Sequence, residues 1–328
     1  MNRHTPALVL FTVLALGTAP ACAQVTASDY PSRPVTLIDP AGAGGSSDLN
    51  FRMFNQSILE STGKRFIIDS KPGAGTTIGT AYAAKAQPDG YTLLIVNTAF
   101  VLTPAIYPDL PYDTIRDFSP VSLMVKTVFV VVVHPAAPFR NIREYVAYAR
   151  QHPEELNYGT TGMGSPNHMP GALLHYMTNT KVTFIQYKTP PQRMLDLIAG
   201  RVQVAMGTPT LSMQYIKDGK LRAIGVTSDR RLPIWPDLPT IAEQGVPGYD
   251  YTGAVGLVAP AKTPPAIISK LNEMYVRTLK DPLISGKIEA EGSLVGGNSP
   301  EEFRQHLVRE TNKWRTLIKE TGMKIQAD

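Results

Sequence analysis

Short β-branched runs alternate along this chain with segments of helical apolar spacing, and that alternation constrains the fold more than any other feature. The runs are Val35 to Ile38, Phe66 to Ile68, Thr92 to Val96, Val128 to Val133, Val182 to Gln186, Val202 to Met206 and Leu221 to Val226. Between the first two, Leu49, Met53, Phe54 and Ile58 recur at helical spacing behind a Ser46-Ser47-Asp48 start, and Asn141 opens a similar pattern through Ile142 and Tyr145. Strands alternating with helices predict βαβ units, hence an α/β chain with largely parallel sheets covered by helices on both faces. Thr263-Pro264 and Ser299-Pro300-Glu301-Glu302 each set a capping residue before proline at the first helical position, with Glu302 where a capping box wants it. The residues beyond Thr263 therefore read as mostly two amphipathic helices.

At 328 residues the chain is long enough for two cores, since a domain takes roughly 100–200 residues. Repeats, low-complexity tracts and long Gly/Ser linkers are absent, so the domains are expected to join by short crossings. The breaks fall in the turn-rich stretch Tyr112 to Pro120 and in Val246-Pro247-Gly248-Tyr249. With the final helices returning to the first domain, the chain crosses twice: residues 24–125 plus 251–328 form domain 1, and 126–250 form domain 2. Hydrophobic residues at 43% and charged residues at 18% exclude disorder and a polytopic membrane fold. The net charge of +5 comes from scattered residues with no run of five or more basic ones, so no nucleic-acid partner is expected.

Residues 1–23 have the pattern of a signal peptide: a polar start at Asn2, Arg3 and His4, an apolar stretch Ala7 to Leu16, and Ala21-Cys22-Ala23 before Gln24. The apolar stretch is shorter than the ~20 residues a spanning helix needs, so export of a soluble mature chain is expected. Cys22 is the only cysteine and lies inside this leader, which removes disulfides, thiolate catalysis and thiolate metal sites from consideration. A lipoprotein signal would want Leu where Ala19 stands.

The first strand runs into Pro40-Ala41-Gly42-Ala43-Gly44-Gly45-Ser46-Ser47-Asp48 and then a helix. Glycine lets a ligand approach the backbone, and N–H groups at a helix N-terminus favour an anion. A carboxylate or phosphate fits such a loop, and a tight turn without ligand would use the same residues. The dinucleotide fingerprint fails at Ser47, and a P-loop would need a following Gly-Lys-Ser/Thr. A second loop of this style runs from Gly159 to His168, and a third is Gly73-Ala74-Gly75-Thr76-Thr77. Two such loops facing each other across a cleft would clamp an anionic solute. Catalysis is poorly supported: Gly162-Met163-Gly164-Ser165 puts the serine outside a G-x-S-x-G elbow. His168 and His175 lack an H-E-x-x-H pattern, so no metal and no cofactor are expected. The competing enzyme reading is a secreted hydrolase using Ser165 and His168.

Over essentially the whole mature length the chain resembles the periplasmic solute-binding receptors of the tripartite tricarboxylate transporter type, the Bug or TctC family. The matching segments include Tyr30-Pro31-Ser32-Arg33-Pro34-Val35-Thr36, Gly44 to Asp48, Lys71-Pro72-Gly73-Ala74-Gly75, Pro88-Asp89-Gly90-Tyr91-Thr92 and Arg116-Asp117-Phe118-Ser119-Pro120-Val121. Leu156-Asn157-Tyr158-Gly159, Gly162 to His168, Gly219-Lys220-Leu221-Arg222-Ala223 and Leu238-Pro239-Thr240 extend the match. The resemblance implies a two-domain Venus-flytrap protein in the periplasm, with two interdomain crossings. It implies a monomer without catalytic residues that closes on a carboxylate ligand and delivers it to the transporter's membrane subunits. It further implies that Gly44, Gly45, Ser46 and Ser47 grip a carboxylate from one side, and Gly162, Gly164, Ser165 and His168 from the other. Thr98, Met163 and Thr208 complete the expected site.

Three departures from the family pattern bear on the ligand. Ala41 stands where Phe is common, Gly207 stands where many members carry Asp, and Phe100 replaces a more polar residue. The expected pocket is roomier and lacks an acidic group that would favour amino acids; Phe100 either stacks on a ring of the ligand or packs in the core, with Ala41 compensated by a neighbour. An aromatic mono- or dicarboxylate is expected ahead of an aliphatic di- or tricarboxylate. A receptor that signals to a membrane sensor kinase is the alternative role.

Overall fold

The computed structural model describes residues 29–107 and 109–322. The expected signal peptide, with Cys22, lies outside them. In chain order the elements are β1 (Val35–Asp39), α1 (Ser46–Thr62), β2 (Phe66–Ser70), α2 (Thr77–Ala84), β3 (Thr92–Asn97), α3 (Ala99–Ile106) and β4 (Phe118–Thr127). Next come β5 (Val130–Val133), α4 (Ile142–Gln151), β6 (Asn157–Thr160), α5 (Met169–Thr178), β7 (Thr183–Gln186), α6 (Pro190–Ile198), β8 (Val204–Gly207), α7 (Pro209–Lys217) and β9 (Arg222–Val226). The chain ends with β10 (Gly253–Pro260), α8 (Pro265–Leu279), α9 (Pro282–Ala290), β11 (Ser293–Val295) and α10 (Pro300–Thr321).

The strands form two sheets, ordered β11-β4-β10-β3-β1-β2 and β7-β6-β8-β5-β9. Leu93 to Val96 of β3 are all buried, the mark of a strand covered on both faces. The expectation of largely parallel sheets is corrected. In sheet 1, β1 pairs in parallel with β2 and β3, whereas β10 and β11 pair antiparallel with their neighbours. In sheet 2, β6 is parallel to β7 and β8, but β5 is antiparallel to β8 and β9. The reversed strands are β10 and β11 in sheet 1 and β5 in sheet 2, and β5 and β10 are the strands that each follow a crossing between the sheets.

The molecule thus has two α/β domains joined twice, between β4 and β5 and again just before β10. Thr227 ties the two crossings together: its N–H donates to Phe129 O at 2.9 Å, its Oγ1 accepts from Phe129 N at 2.9 Å, and its carbonyl accepts from Tyr251 N at 2.8 Å. The helix starts follow the sequence signals closely. Asn141 caps α4 by accepting from Glu144 N at 2.8 Å, and Ser299 with Glu302 forms the capping box of α10. Beyond Thr263 there are three helices and a strand rather than two helices, and α8 starts one residue later than its signal.

Candidate functional site

A cavity of about 530 Å³ lies between the two sheets. Much of its wall comes from the C-terminal ends of parallel strands and the loops that follow them, and the rest includes the β4–β5 crossing and the start of β10. Ala41, Gly45, Ser46 and Ser47 follow β1, Thr98 and Ala99 follow β3, Thr161 and Asn167 follow β6, and Thr208 follows β8. Carboxyl ends of parallel strands are where α/β sheets leave a crevice for ligands. A second cavity of about 480 Å³ adjoins it, sharing Ala99 and Thr161, and is lined by Gly75, Gly162, Met163, Gly164 and Ser165.

The first loop is shaped by two buried carboxylates. Asp39 Oδ1 accepts from Ala41 N at 3.0 Å, and Asp48 Oδ2 accepts from Gly44 N and from Arg52 Nε, each at 2.9 Å. The Arg52 guanidinium holds Asp48 below the usual carboxylate range, whereas burial pushes Asp39 up. Gly42 and Gly44 take φ of +95° and +83°, which a side chain would strain. Helix α1 then begins with Gly45 as N-cap, which has no side chain to satisfy the first-turn amides at the cavity wall.

The second loop is organised by Asn167. Its Oδ1 accepts from Thr160 Oγ1 and Thr161 N at 2.9 Å and from Ser165 Oγ at 3.1 Å, while Nδ2 donates to Thr161 Oγ1 at 2.7 Å. Below it, His168 is fully buried, and its Nδ1 accepts from Gly164 N at 3.2 Å. Burial lowers the His168 pKa to about 4. Ser165 therefore bonds to Asn167 while His168 bonds to a backbone amide, so the two do not form a nucleophile and base.

Of the expected site residues, the larger cavity brings together Ala41, Gly45, Ser46, Ser47, Thr98, Gly207 and Thr208, and the adjoining one Gly162, Met163, Gly164 and Ser165. Three expectations are corrected because these residues line neither cavity. The Gly44 N–H is taken by Asp48, and the His168 ring is turned into the core against Phe184 at 4.6 Å. Phe100 is 3% exposed and meets Phe118 edge to face at 5.4 Å, so it fills the core between α3 and β4 instead of facing a ligand. Thr98 is on the wall, but its Oγ1 already accepts from Ala254 N at 3.0 Å, which fixes β10 to the loop.

A model of the tripartite tricarboxylate transporter family receptor, TctC, matches residues 50–323. The chain belongs to that receptor family. A protein in the tcbD-tcbE intergenic region of Pseudomonas sp. (strain P51) is 34% identical over 292 residues, covering 89% of this chain and 87% of its own length. The BugT protein of Bordetella pertussis is 29% identical and covers 95% of this chain and 96% of its own. Among solved structures, a Rhodopseudomonas palustris protein with adipate superposes with a TM-score of 0.72 at 32% identity, covering 90% of this chain and 99% of its own. A TctC solute-binding protein from Polaromonas gives a TM-score of 0.80 at 25% identity, covering 89% and 99%. MatC from R. palustris, with bound malate, gives 0.68 at 27% identity, covering 88% and 100%. Members of this receptor family bind solutes and are not enzymes, in keeping with the separated Ser165 and His168.

Among the wall residues outside the expected site are two whose side chains hydrogen-bond within the wall, Asn167 and Arg193. Asn167 was hidden within the loop, although its position two residues after Ser165 is one where a short amide can fold back on the backbone. Arg193, on the first turn of α6, is 1% exposed, and its Nη1 donates to Met206 O at 2.7 Å. Its signal was spacing: it shares a helix face with Leu197, four residues on, so a charge sits on the buried side.

Proposed function

We propose that this receptor is exported to the periplasm, binds a carboxylated small molecule in the cavity between its domains and hands it to the membrane subunits of a tripartite transporter. The observation that carries this reading is the arrangement of the larger cavity. The uncapped N-terminus of α1 stands on one wall, and hydroxyl and amide donors of the β6–α5 loop stand on the other. Both suit an anion, and a solute touching both domains favours the closed form by its differential affinity. The domain limits proposed are residues 24–125 plus 251–328 and 126–250, which divide the strands between the two sheets except that Lys126 and Thr127, the end of β4, pair within sheet 1.

The ligand reading is a bulky carboxylate, with an aromatic mono- or dicarboxylate favoured. Ala41 and Gly207 leave the cavity wide, and Phe129, Met206 and Leu211 add apolar wall. Phe100 no longer supports it. A second reading, an aliphatic dicarboxylate, draws on the relatives solved with adipate and malate. The test is a thermal-shift screen of the mature protein against aliphatic di- and tricarboxylates, aromatic carboxylates and acidic amino acids, since a ligand of the native state raises the melting temperature. A shift with aromatic acids alone supports the first reading, and a shift with aliphatic acids alone overturns it in favour of the second. Stabilisation by acidic amino acids only would contradict both.

A further inference from the structure

The larger cavity holds a cation without a counter-ion. Arg193 is 1% exposed, its one side-chain hydrogen bond among the described residues runs from Nη1 to the carbonyl of Met206, and Nε has no partner. No ion pair among the described residues includes it, and the group electrostatically nearest is the neutral phenol of Tyr158. A buried charge without a partner is costly, and proteins keep one where something else completes the pair. The surrounding backbone is cut to admit it: a Cβ at Gly159 would lie 2.9 Å from Arg193 Cγ. A Cβ at Gly207 would lie 2.7 Å from Ser212 Oγ and 3.7 Å from Nη2, so the glycine makes room for Ser212 and leaves only bare backbone beside that edge of the guanidinium at the cavity wall. Thr208 then starts α7 without a side-chain cap, adding helix-terminal amides on the same side.

We propose that Arg193 receives a second carboxylate of the ligand, the first being held at the α1 terminus, so that this receptor selects diacids over monoacids. The inference rests on the reading of the cavity as a carboxylate site. A planar guanidinium whose buried Nε lacks a partner and whose Nη2 borders the bare Gly207 has the edge best matched to a carboxylate in two-point contact. The body between the two carboxylates, aliphatic or aromatic, is not set by Arg193. The acid at the far end is.

The experiment measures binding by calorimetry for two matched pairs, adipate with hexanoate and terephthalate with benzoate, on the mature wild type and on Arg193→Met, which keeps the apolar stem. A charge-assisted hydrogen bond is worth roughly a 10- to 100-fold preference. Wild type should prefer at least one diacid over its monoacid by that factor. Arg193→Met should erase the preference to within about threefold by weakening the diacid more than the monoacid, and Arg193→Lys should keep part of it. Gly207→Asp, made together with Ser212→Ala because its Cβ would otherwise lie 2.7 Å from Ser212 Oγ, provides an independent arm should Arg193→Met fail to fold: its carboxylate would occupy Nη2 and abolish the diacid preference. A preference that survives in Arg193→Met or Gly207→Asp, or equal binding of monoacid and diacid by wild type, overturns the role of Arg193 and leaves the receptor reading standing. Wild type that binds none of the four acids overturns the carboxylate reading for these compounds, and the inference with it.

Discussion

The indole of Trp314 meets the ring of Tyr251 edge to face at 5.6 Å, fixing the last helix against the second interdomain crossing. Tyr251 in turn contacts Phe129 of the first crossing at 5.6 Å, and its hydroxyl donates to Pro166 O in the β6–α5 loop at 3.2 Å. Lys313, beside Trp314, donates to Asp250 O at 3.0 Å. The last helix therefore braces the second of the two segments that join the sheets.

Trp314 is fully buried, and removing an indole from a packed core costs about 3–5 kcal/mol. Trp314→Ala is expected to lose stability in that range in urea unfolding. A loss under about 1 kcal/mol would contradict the bracing role, because a surface-like ring costs little.

Acid should destabilise the protein earlier than its carboxylates require. Burial lowers His168 and His306 to about 4 and His175 to about 3, against about 6.5 in an unfolded chain. Between pH 6.5 and about 4 the unfolded chain holds protons that the native one refuses. Stability is thus fully present above pH 6.5 and is lost as pH falls, by up to about 1.4 kcal/mol per pH unit for each histidine. His175 bonds to Tyr145 Oη at 2.9 Å and to Thr180 Oγ1 at 2.7 Å, so His175→Gln has a cost at pH 7 but should flatten the slope by one proton. Unfolding free energies at pH 7, 6 and 5 for both proteins check this, and parallel slopes would refute it.

The fold was legible where one strand's residues speak for themselves and was lost where neighbours decide. The apolar runs of β1, β3, β5 and β8 stand out in the chain. β4 was concealed by Ser119-Pro120, which reads as a turn, yet Pro120 pairs with Val258 beside a register shift, where a missing N–H is tolerated. β10 was concealed by Gly253 and Gly256. A Cβ at Gly256 would come 2.6 Å from the Phe303 ring, so glycine there serves the packing of α10, not strand propensity. Within the site, the loops were visible because Gly and Ser cluster locally. Phe100 was misplaced because its partner Phe118 belongs to a strand the sequence hid. Arg193 becomes meaningful only once α6 and β8 are brought side by side.

Asp39 and Asp48 should respond oppositely to neutralisation. Asp39 Oδ2 is buried without a partner, while Oδ1 holds Ala41 N, a bond that Asn would keep. Because burial raises the folded pKa of Asp39, its charge costs stability above the unfolded value near 3.9, and the cost fades as pH falls. Asp39→Asn is expected to be neutral to about 1 kcal/mol stabilising at pH 7, with the difference vanishing near pH 3. Asp48→Asn lacks the ion pair with Arg52, whose loss is felt above pH 4 and disappears on acidification. Melting temperatures of the two variants from pH 3 to 7 should therefore move in opposite directions relative to wild type.

Asn167 gives the sharpest separation of binding from folding. Its amide organises Thr160, Thr161 and Ser165 into one wall of the cavity, and at 8% exposure it has little water to replace those bonds. Asn167→Asp keeps the acceptor oxygens but loses the Nδ2 donor to Thr161 and sets a negative charge on the cavity wall. Asn167→Ala lacks both donor and acceptors, leaving buried polar groups unpaired at about 1–3 kcal/mol. If the wall receives an anion, Asn167→Asp should lose more affinity than Asn167→Ala while losing less stability, because the introduced charge repels the ligand even where the loop survives. Calorimetric titration with whichever acid the screen identifies, run beside urea unfolding, distinguishes the cases. Affinity falling in step with stability in both variants would mean that the loop matters only as structure.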